Sequence, residues 1–380
     1  PAMSLLPFFM LVTTLGMFFF VCVMFFGDAE YLENTPIGWL HNKINDVGEF
    51  WGSEKFQRGM ERIVGRACCM RMWYVQEYVC WKPNPILPIF YLCLVLGGFT
   101  VFVSFAFPHI PFRPEEEWGI RWFHKPNAFI LIGMCMTFFV KCVFTDAGVI
   151  NDDNLERELE RFEFDEVLYT QRQCSTCRFV RPARSKHCSI CDRCVARFDH
   201  HCPWINNCVG VHNVRWFILF LGSHMILCVY GGILLAFMLR ALIKESDIYS
   251  MFVRDPVHGV IPVSHAHVVR WTIQQYGPLA GLCFGLNAIG LVLIGFVGYH
   301  IWLAGTNVTT NESYKWKDTK RAIKMRQLQA LKEGVILEDI PVINTYSLGS
   351  FLANVVDVFV PSDKPSTSQK KKRTNRGVNK

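Results

Sequence analysis

Charged residues are scarce in this chain. They make up 19% of its 380 residues, whereas a soluble globular domain carries about 25%, so the composition argues against a cytosolic globular protein. Disorder is also excluded as the main state, because 51% of the residues are hydrophobic. The net charge of +7 is too modest to indicate a nucleic-acid binder, and it is typical of a membrane protein with basic cytoplasmic loops.

The chain instead has apolar stretches long enough to span a bilayer, which takes roughly 20 residues. Five of them lie at about residues 5–26, 85–107, 127–144, 216–239 and 277–303. The first lacks the basic n-region and small-residue cleavage site of a signal peptide, so we expect a retained anchor. The sequence predicts an all-α polytopic membrane protein with about five transmembrane helices.

The distribution of Lys and Arg predicts the orientation in the membrane. Residues 27–84 contain seven and the tail from residue 304 contains fourteen, whereas 108–126 and 241–270 contain three each. The positive-inside rule therefore places the basic segments in the cytosol. Neither of the two loops poor in Lys and Arg contains a cysteine. We expect the clustered thiols of 149–215 in the reducing cytosol, where metal binding or catalysis is favoured over disulfides.

These features divide the chain into predicted segments. They are an N-terminal anchor helix and cytosolic loop (1–84), a transmembrane hairpin (85–148), a cytosolic cysteine-rich domain between helices 3 and 4 (149–215), a second transmembrane hairpin (216–303), a cytosolic C-terminal region (304–360) and a disordered basic tail (361–380). The sequence of residues 49–81 predicts one helix that lies at the membrane interface. A helix packed on the protein itself is an equal alternative. Residues 315–333 predict a cytosolic helix.

Seven of the sixteen cysteines crowd into one short segment together with three histidines. In order, these residues are Cys174, Cys177, His187, Cys188, Cys191, Cys194, His200, His201, Cys202 and Cys208. Paired C-x2-C spacings let two thiolates reach one tetrahedral zinc ion. Two zinc ions need eight ligands, so one Cys and one His remain over. A spare thiol beside a spare imidazole and a carboxylate is typical of a nucleophile with its base and orienting group.

Cys202 is the candidate for the spare thiol, because it falls outside the C-x2-C pairs and ends the run Asp199-His200-His201-Cys202. Spacing alone does not choose between His200 and His201 as the zinc ligand. A purely structural module, in which every cysteine is a ligand or inert, is the alternative on spacing alone.

The segment from Cys174 to Asn213 resembles the cysteine-rich domain of the DHHC protein S-acyltransferases (palmitoyltransferases) at every Cys and His position. The match continues through Pro203–Gly210. Thr309–Glu312 resembles the family's Thr-Thr-x-Glu motif, and Tyr346–Gly349 resembles the start of its aromatic C-terminal motif. The resemblance implies a cytosolic cysteine-rich domain between transmembrane helices.

Two shorter stretches refine the resemblance, and one position departs from it. Glu163–Val167 and Arg181–Lys186 are similar to the subgroup of the fourth-numbered mammalian member. The family's Asp-Pro-Gly motif contains Ala147 in place of proline, which weakens the transfer of that motif to this chain.

The resemblance implies residue roles that spacing left open. It implies one structural zinc site made by Cys174, Cys177, His187 and Cys194, and another made by Cys188, Cys191, His201 and Cys208. It also implies a two-step acyl transfer with Cys202 as nucleophile, His200 as base and Asp199 as orienting group.

The expected donor is a long-chain acyl-CoA, and the expected acceptors are cytosolic cysteines of membrane-associated proteins. Arg181, Arg184 and Lys186 are candidates for the phosphates of CoA, with a solvated basic face as the alternative. Trp204 is a candidate wall beside the thioester, with core packing as an equal alternative. The family suggests the endoplasmic reticulum or Golgi rather than the plasma membrane. Nucleic acid is not an expected partner, because the zinc segment is tethered at a membrane.

Polar residues near the spans have simpler interpretations. We expect His224 and Asn287 to form hydrogen bonds within the helix bundle. The resemblance implies that Thr309 and Glu312 brace the catalytic loop, with a helix-end cap as the alternative. A catalytically silent scaffold is the alternative function and a membrane-bound ubiquitin ligase a third, and the intact Asp-His-His-Cys run argues against both.

Overall fold

The computed structural model describes residues 35–110, 122–255, 257–333 and 343–361. The predicted first span at 5–26 and almost all of the predicted basic tail lie outside these residues. Helices dominate the described part of the chain, and three two-stranded antiparallel sheets accompany them.

Residues 49–81 do not form the single helix that the sequence predicts. This region is divided among α1 (Pro36–Gly52), α2 (Glu54–Val64) and α3 (Arg66–Trp81). The Ser53 hydroxyl starts α2, because it accepts a hydrogen bond from the Phe56 amide at 3.3 Å. Gly65 ends α2 at φ 82°, a left-handed conformation that favours glycine. The expectation was wrong because a single Ser or Gly can also occur inside a helical pattern.

Within the described residues, four helical stretches are long and apolar enough to cross a membrane, and each corresponds to a predicted span. They are Ile86–His109, which begins with α4 (Ile86–Val101), then α5 (His124–Phe144), and, after the short α6 (Leu155–Arg161), α7 (Val214–Glu245) and α8 (His265–Thr306). The chain is therefore an integral membrane protein. Helix α8 is longer than its predicted span because it continues through a kink at Tyr276, just before Pro278.

One of two compact units in the structure contains the cysteine cluster. It comprises Tyr78–Pro88, Thr137–Phe220 and the residues from Gly298 onward. It contains two hairpins, β1 (Lys186–Cys188) with β2 (Arg193–Val195) and β3 (His200–Cys202) with β4 (Asn207–Val209). Helices α9 (Thr310–Lys332) and α10 (Phe351–Phe359) follow, and α9 confirms the helix predicted at 315–333.

The other unit comprises the described residues up to Glu77, Ile89–Met136 and Leu221–Val297, so it contains most of each span. It also contains the hairpin of β5 (Phe252–Asp255) and β6 (Gly259–Pro262). Its core consists of apolar side chains, among them Phe102, Ile110, Leu235, Met238 and Leu279. His224 Nε2 lies 2.7 Å from the Tyr91 hydroxyl, and Asn287 donates to the Cys283 carbonyl at 2.8 Å. The bundle hydrogen bonding predicted for both residues is confirmed.

Candidate active site and metal centres

The cysteines and histidines assemble into two separate clusters. One consists of Cys174, Cys177, His187 and Cys194, and the other of Cys188, Cys191, His201 and Cys208. Within each cluster the candidate ligand atoms all lie within 4.8 Å of one another. The hairpins bring them together, since His187 pairs with Cys194 across β1 and β2, and His201 pairs with Cys208 across β3 and β4.

The distances within the clusters fit a tetrahedral zinc ion. Zn–S bonds of about 2.3 Å and Zn–N bonds of about 2.0 Å place neighbouring ligand atoms roughly 3.5–3.8 Å apart. His187 Nδ1 lies 3.4 Å from the Cys177 sulfur and 3.8 Å from the Cys194 sulfur. His201 Nδ1 lies 3.3 Å from the Cys191 sulfur and 3.7 Å from the Cys208 sulfur. Three thiols and one imidazole in each cluster therefore suit zinc.

The two C-x2-C turns have the same backbone form. Arg178 follows Cys177 at φ 62°, and Asp192 follows Cys191 at φ 52°. Both residues occupy the left-handed region, which reverses the chain directly after the second thiol. Asp192 also lies 3.4 Å from Nε2 of His187, so a carboxylate holds the ring nitrogen that faces away from the thiols.

Asp199, His200 and Cys202 lie outside both clusters and contact one another. His200 Nδ1 lies 2.6 Å from Asp199 Oδ2, and Cys202 is close enough to His200 to raise the pKa of its imidazole. His200 and Cys202 share one face of β3, because alternate strand residues point the same way, while His201 points to the opposite face. This arrangement puts His201 into the second cluster and leaves His200 beside the thiol.

The charges of this trio stabilise one another. Burial lowers the pKa of His200, but the hydrogen bonds and charges of Asp199 and Cys202 outweigh burial and raise it to about 10. Burial raises the pKa of Asp199, and the His200 contact and the Thr310 amide outweigh that effect and lower it to about 2. Asp199 is therefore an anion that can stabilise an imidazolium at His200.

The N-terminus of α9 holds Asp199 in place. The Thr310 amide donates to Asp199 Oδ1 at 2.6 Å, and the Thr310 hydroxyl donates to Oδ2 at 2.9 Å. Thr309 caps the helix in a capping box with Glu312. The first amides of a helix carry partial positive charge, so this position favours a carboxylate. Both interpretations of Thr309 and Glu312 apply, because the capped helix is what braces the loop.

Arg184 corrects one prediction for the CoA site. Its side chain is 0% exposed, and its guanidinium donates to Glu312 at 2.6 and 2.7 Å and to Asn307 at 2.8 and 2.9 Å. Its guanidinium also lies 5.0 Å from the ring centroid of Phe162 and 4.7 Å from that of Tyr346. A guanidinium committed in this way cannot bind phosphates, so Arg184 joins the cysteine-rich segment to α9 instead.

The other candidate CoA contacts lie at the surface. Lys186 is exposed and Arg181 is partly exposed, and both lie near Lys315 of α9. Burial lowers the pKa of Lys315, and the charges of Arg181 and Lys186 lower it further, while Glu312 opposes the change. Trp204 is 44% exposed, which excludes full core packing.

Sequence reasoning missed several residues that hold the site. Asn207 donates to the carbonyls of Cys142, Val143 and Thr145, so it ties the loop after Cys202 to the end of α5. Arg197 is buried and donates to Asn307 at 2.9 Å. Asn207 could have been found from the sequence, because it belongs to the run Pro203–Gly210 that resembles the family. Arg197 carried no such signal.

The C-terminal motif closes the same unit. Tyr346 donates its hydroxyl to the Glu163 carbonyl at 3.0 Å, and Asn354 donates to the Gly305 carbonyl at 2.8 Å. The altered motif near Ala147 also retains its turn, because Asp146 accepts hydrogen bonds from the Gly148 and Val149 amides.

Comparisons with known proteins agree with this geometry. Residues 168–317 match the family model of the DHHC palmitoyltransferases. Palmitoyltransferase SWF1 of Neurospora crassa is 35% identical over 80% of this chain and 70% of its own length, and palmitoyltransferase swf1 of Schizosaccharomyces pombe is 32% identical over 81% and 80%. Palmitoyltransferase ZDHHC4 of Rattus norvegicus is 32% identical over 59% of this chain and 65% of its own length, which confirms the resemblance to the fourth-numbered subgroup. The chain belongs to the DHHC palmitoyltransferase family and is a protein S-acyltransferase.

Proposed function

We propose that this enzyme transfers a long-chain acyl group, palmitoyl above all, from acyl-CoA to cytosolic cysteines of other proteins through an acyl-Cys202 intermediate. The observation that carries the proposal is the contact of Asp199, His200 and Cys202 outside two otherwise complete Cys/His clusters. A structural zinc module needs no such trio.

In the first step, His200 withdraws the proton of Cys202, because the thiolate is the nucleophilic form of cysteine. The sulfur attacks the thioester carbonyl of acyl-CoA, the bond to the CoA sulfur breaks, and the acyl group stays on Cys202. The His200 imidazolium gives its proton to the leaving CoA sulfur, so His200 is neutral again for the second step. Asp199 keeps the His200 ring in one orientation and stabilises the imidazolium that forms.

In the second step, a substrate cysteine reacts with the acyl-enzyme. His200 accepts the proton of the substrate thiol, whose sulfur attacks the acyl carbon and displaces Cys202. One thioester replaces another, so the reaction needs no separate energy source. Two half-reactions on one nucleophile predict ping-pong kinetics.

Zinc would be held by the two Cys/His clusters and would fix the hairpins. Four protein ligands leave a zinc ion without an open position, which is typical of structural sites. The second cluster includes residues on both sides of Cys202, because Cys188, Cys191 and His201 precede it and Cys208 follows it. Bound zinc would therefore fix the position of the nucleophile without taking part in the chemistry.

Arg181 and Lys186, joined by Lys315, form the basic surface to which we assign the phosphates of CoA. Trp204 follows Cys202 closely and is exposed, so we place it as a wall beside the thioester. The acyl chain would lie among the spans, because burial stabilises a hydrocarbon chain by about 0.8 kcal/mol per methylene.

The enzyme acts, in this proposal, with its cysteine-rich domain and C-terminus in the cytosol. The bias of Lys and Arg among the loops supports this orientation. Its acceptors are membrane-associated proteins, because such proteins hold their cysteines near the bilayer surface. We place it in the endoplasmic reticulum or Golgi by family resemblance.

The test is the intact mass of the purified protein after incubation with palmitoyl-CoA. We expect the native protein to gain one hydroxylamine-sensitive palmitoyl group and Cys202→Ser to gain none. Cys68→Ser is the matched control, since Cys68 is an exposed thiol that could react without catalysis. This variant should behave like the native protein.

The same experiment distinguishes the proposed enzyme from the alternative, an inactive scaffold. A protein with two bound zinc ions that gains no palmitoyl group at Cys202 would refute the proposed reaction and favour the scaffold. A gain that persists in Cys202→Ser would assign the acylation to another thiol.

A further inference from the structure

His300 is a buried histidine of α8 that lies beside the catalytic trio without belonging to it. It is 4% exposed, and its ring centroid lies 5.2 Å from that of Phe217 and 6.3 Å from that of His200. Phe217 and His200 lie 5.0 Å apart. These three rings contact one another, and we call them the ring cluster.

The ring cluster adjoins the Asp199 carboxylate. His300 and Asp199 line the same small cavity of about 20 Å³, together with Arg197 and Thr309. The rings of Phe217 and His200 meet at 70°, and those of Phe217 and His300 meet at 77°, which are edge-to-face contacts. Phe217 therefore contacts both His300 and the catalytic imidazole.

One hydrogen bond does not fix an imidazole ring. The bond from Nδ1 to Asp199 holds one atom of His200 but lets the ring tilt about that bond. In the free enzyme the Cys202 thiol, on the same face of β3, is a second neighbour that can share a proton with the ring. In the acyl-enzyme the Cys202 sulfur is bonded to the acyl carbon and has no proton to share. The contact with Phe217 does not depend on the state of Cys202, so it persists.

We propose that His300 is a positioning residue that, through Phe217, holds the His200 imidazole in place during the second acyl transfer. The inference rests on the proposed acyl-Cys202 intermediate. In this step His200 takes the proton of the substrate thiol, and the new sulfur–carbon bond forms as the bond to the Cys202 sulfur breaks. The imidazolium then returns the proton to Cys202, which restores the free enzyme.

The proposal predicts an uneven effect on the two steps. A displacement of about 1 Å at a reacting group can cost about a hundredfold in rate. For His300→Ala we expect transfer to the acceptor to slow by at least about tenfold, while formation of the acyl-enzyme stays within about threefold. The acyl-enzyme should therefore accumulate during turnover.

The experiment uses the whole 380-residue chain in detergent, with palmitoyl-CoA as donor and a myristoylated peptide with one cysteine as acceptor. Intact mass at short times gives the rate of acyl-enzyme formation, and its decay after addition of the peptide gives the rate of transfer. His300→Phe keeps a ring against Phe217 and should recover most of the transfer rate. His265→Ala, which removes an exposed histidine of the same helix, should leave both rates unchanged.

Equal slowing of both steps in His300→Ala, or no slowing of transfer, would overturn the inference. Failure of His300→Phe to recover transfer would also overturn it, because ring contact would then not be the cause. Zinc content and thermal unfolding of each variant show whether it is folded. If the proposed function itself is wrong, the native protein forms no acyl-Cys202. That result is distinguishable from a failure of the inference about His300.

Discussion

Replacing Arg184 with methionine should destabilise the unit that contains the cysteine cluster. The guanidinium donates two hydrogen bonds to Glu312 and two to Asn307, all between 2.6 and 2.9 Å. Methionine has a similar length but no charge, so Glu312 stays buried with the Tyr169 hydroxyl and the Thr309 amide as donors. The variant therefore measures the loss of stability when the Glu312 carboxylate stays buried without its cation.

Removing one partner of a buried ion pair costs about 3–5 kcal/mol. Burial raises the pKa of Glu312, but the charge and hydrogen bonds of Arg184 outweigh burial and lower it. In the native protein the stability that Glu312 gains from Arg184 is fully present above the ordinary Glu pKa of 4.5. It is lost as the pH falls below that value. In the variant, burial raises the Glu312 pKa instead. The difference in stability should therefore shrink as the pH is lowered toward 4.5.

Thermal unfolding in detergent measures the effect, and the midpoint for Arg184→Met should fall by roughly 10 °C at neutral pH. Adding Glu312→Gln removes the unpaired charge and should restore part of this loss. Lys186→Met is the matched control, since it removes a nearby exposed cation and should change stability by less than about 0.5 kcal/mol. Additive losses in the double variant would refute the reasoning.

Three further substitutions probe other parts of the site. Asp199→Asn should slow acyl-enzyme formation by at least about a hundredfold with both zinc ions retained, as single-turnover intact mass and metal analysis would show. An unchanged rate would contradict the role of the carboxylate. Cys177→Ala should lower the zinc content from two ions to one, whereas Cys202→Ala should keep two. Gly305→Ala would place a methyl group against the Phe351 ring and should cost about 1–3 kcal/mol of stability, which Phe351→Ala should partly restore in thermal unfolding.

The spans and the metal sites could be predicted from the sequence, because both depend on residues that are close together in the chain. Hydrophobic length predicted the four spans found among the described residues. The C-x2-C pairs predicted two metal sites, and the family resemblance supplied the ligands of each. Spacing left the choice between His200 and His201 open, and the family resemblance indicated His201 as the zinc ligand. The run lies on a β-strand, so alternate side chains point to opposite faces. Three-residue strands carry too little pattern to be recognised beforehand.

Arg184 shows why the rest could not be predicted. The run Arg181–Lys186 contains three basic residues within six positions, which suggests a shared anion site. The backbone at Arg184 adopts φ 63°, and the partners of its side chain lie more than 120 residues later in the chain. A pattern within six residues contains no information about such contacts. The same holds for Asp199 and Thr310.

The distance along the chain between Asp199 and Thr310 has a consequence for synthesis. These residues are 111 positions apart, and both of the spans α7 and α8 lie between them. A growing chain therefore exposes Cys202 long before the helix that anchors its neighbouring carboxylate has been made. During this interval the thiol has an unrestrained imidazole beside it. We expect the nascent protein to remain unreactive toward acyl donors until membrane insertion is finished, so that the reactive thiol matures last.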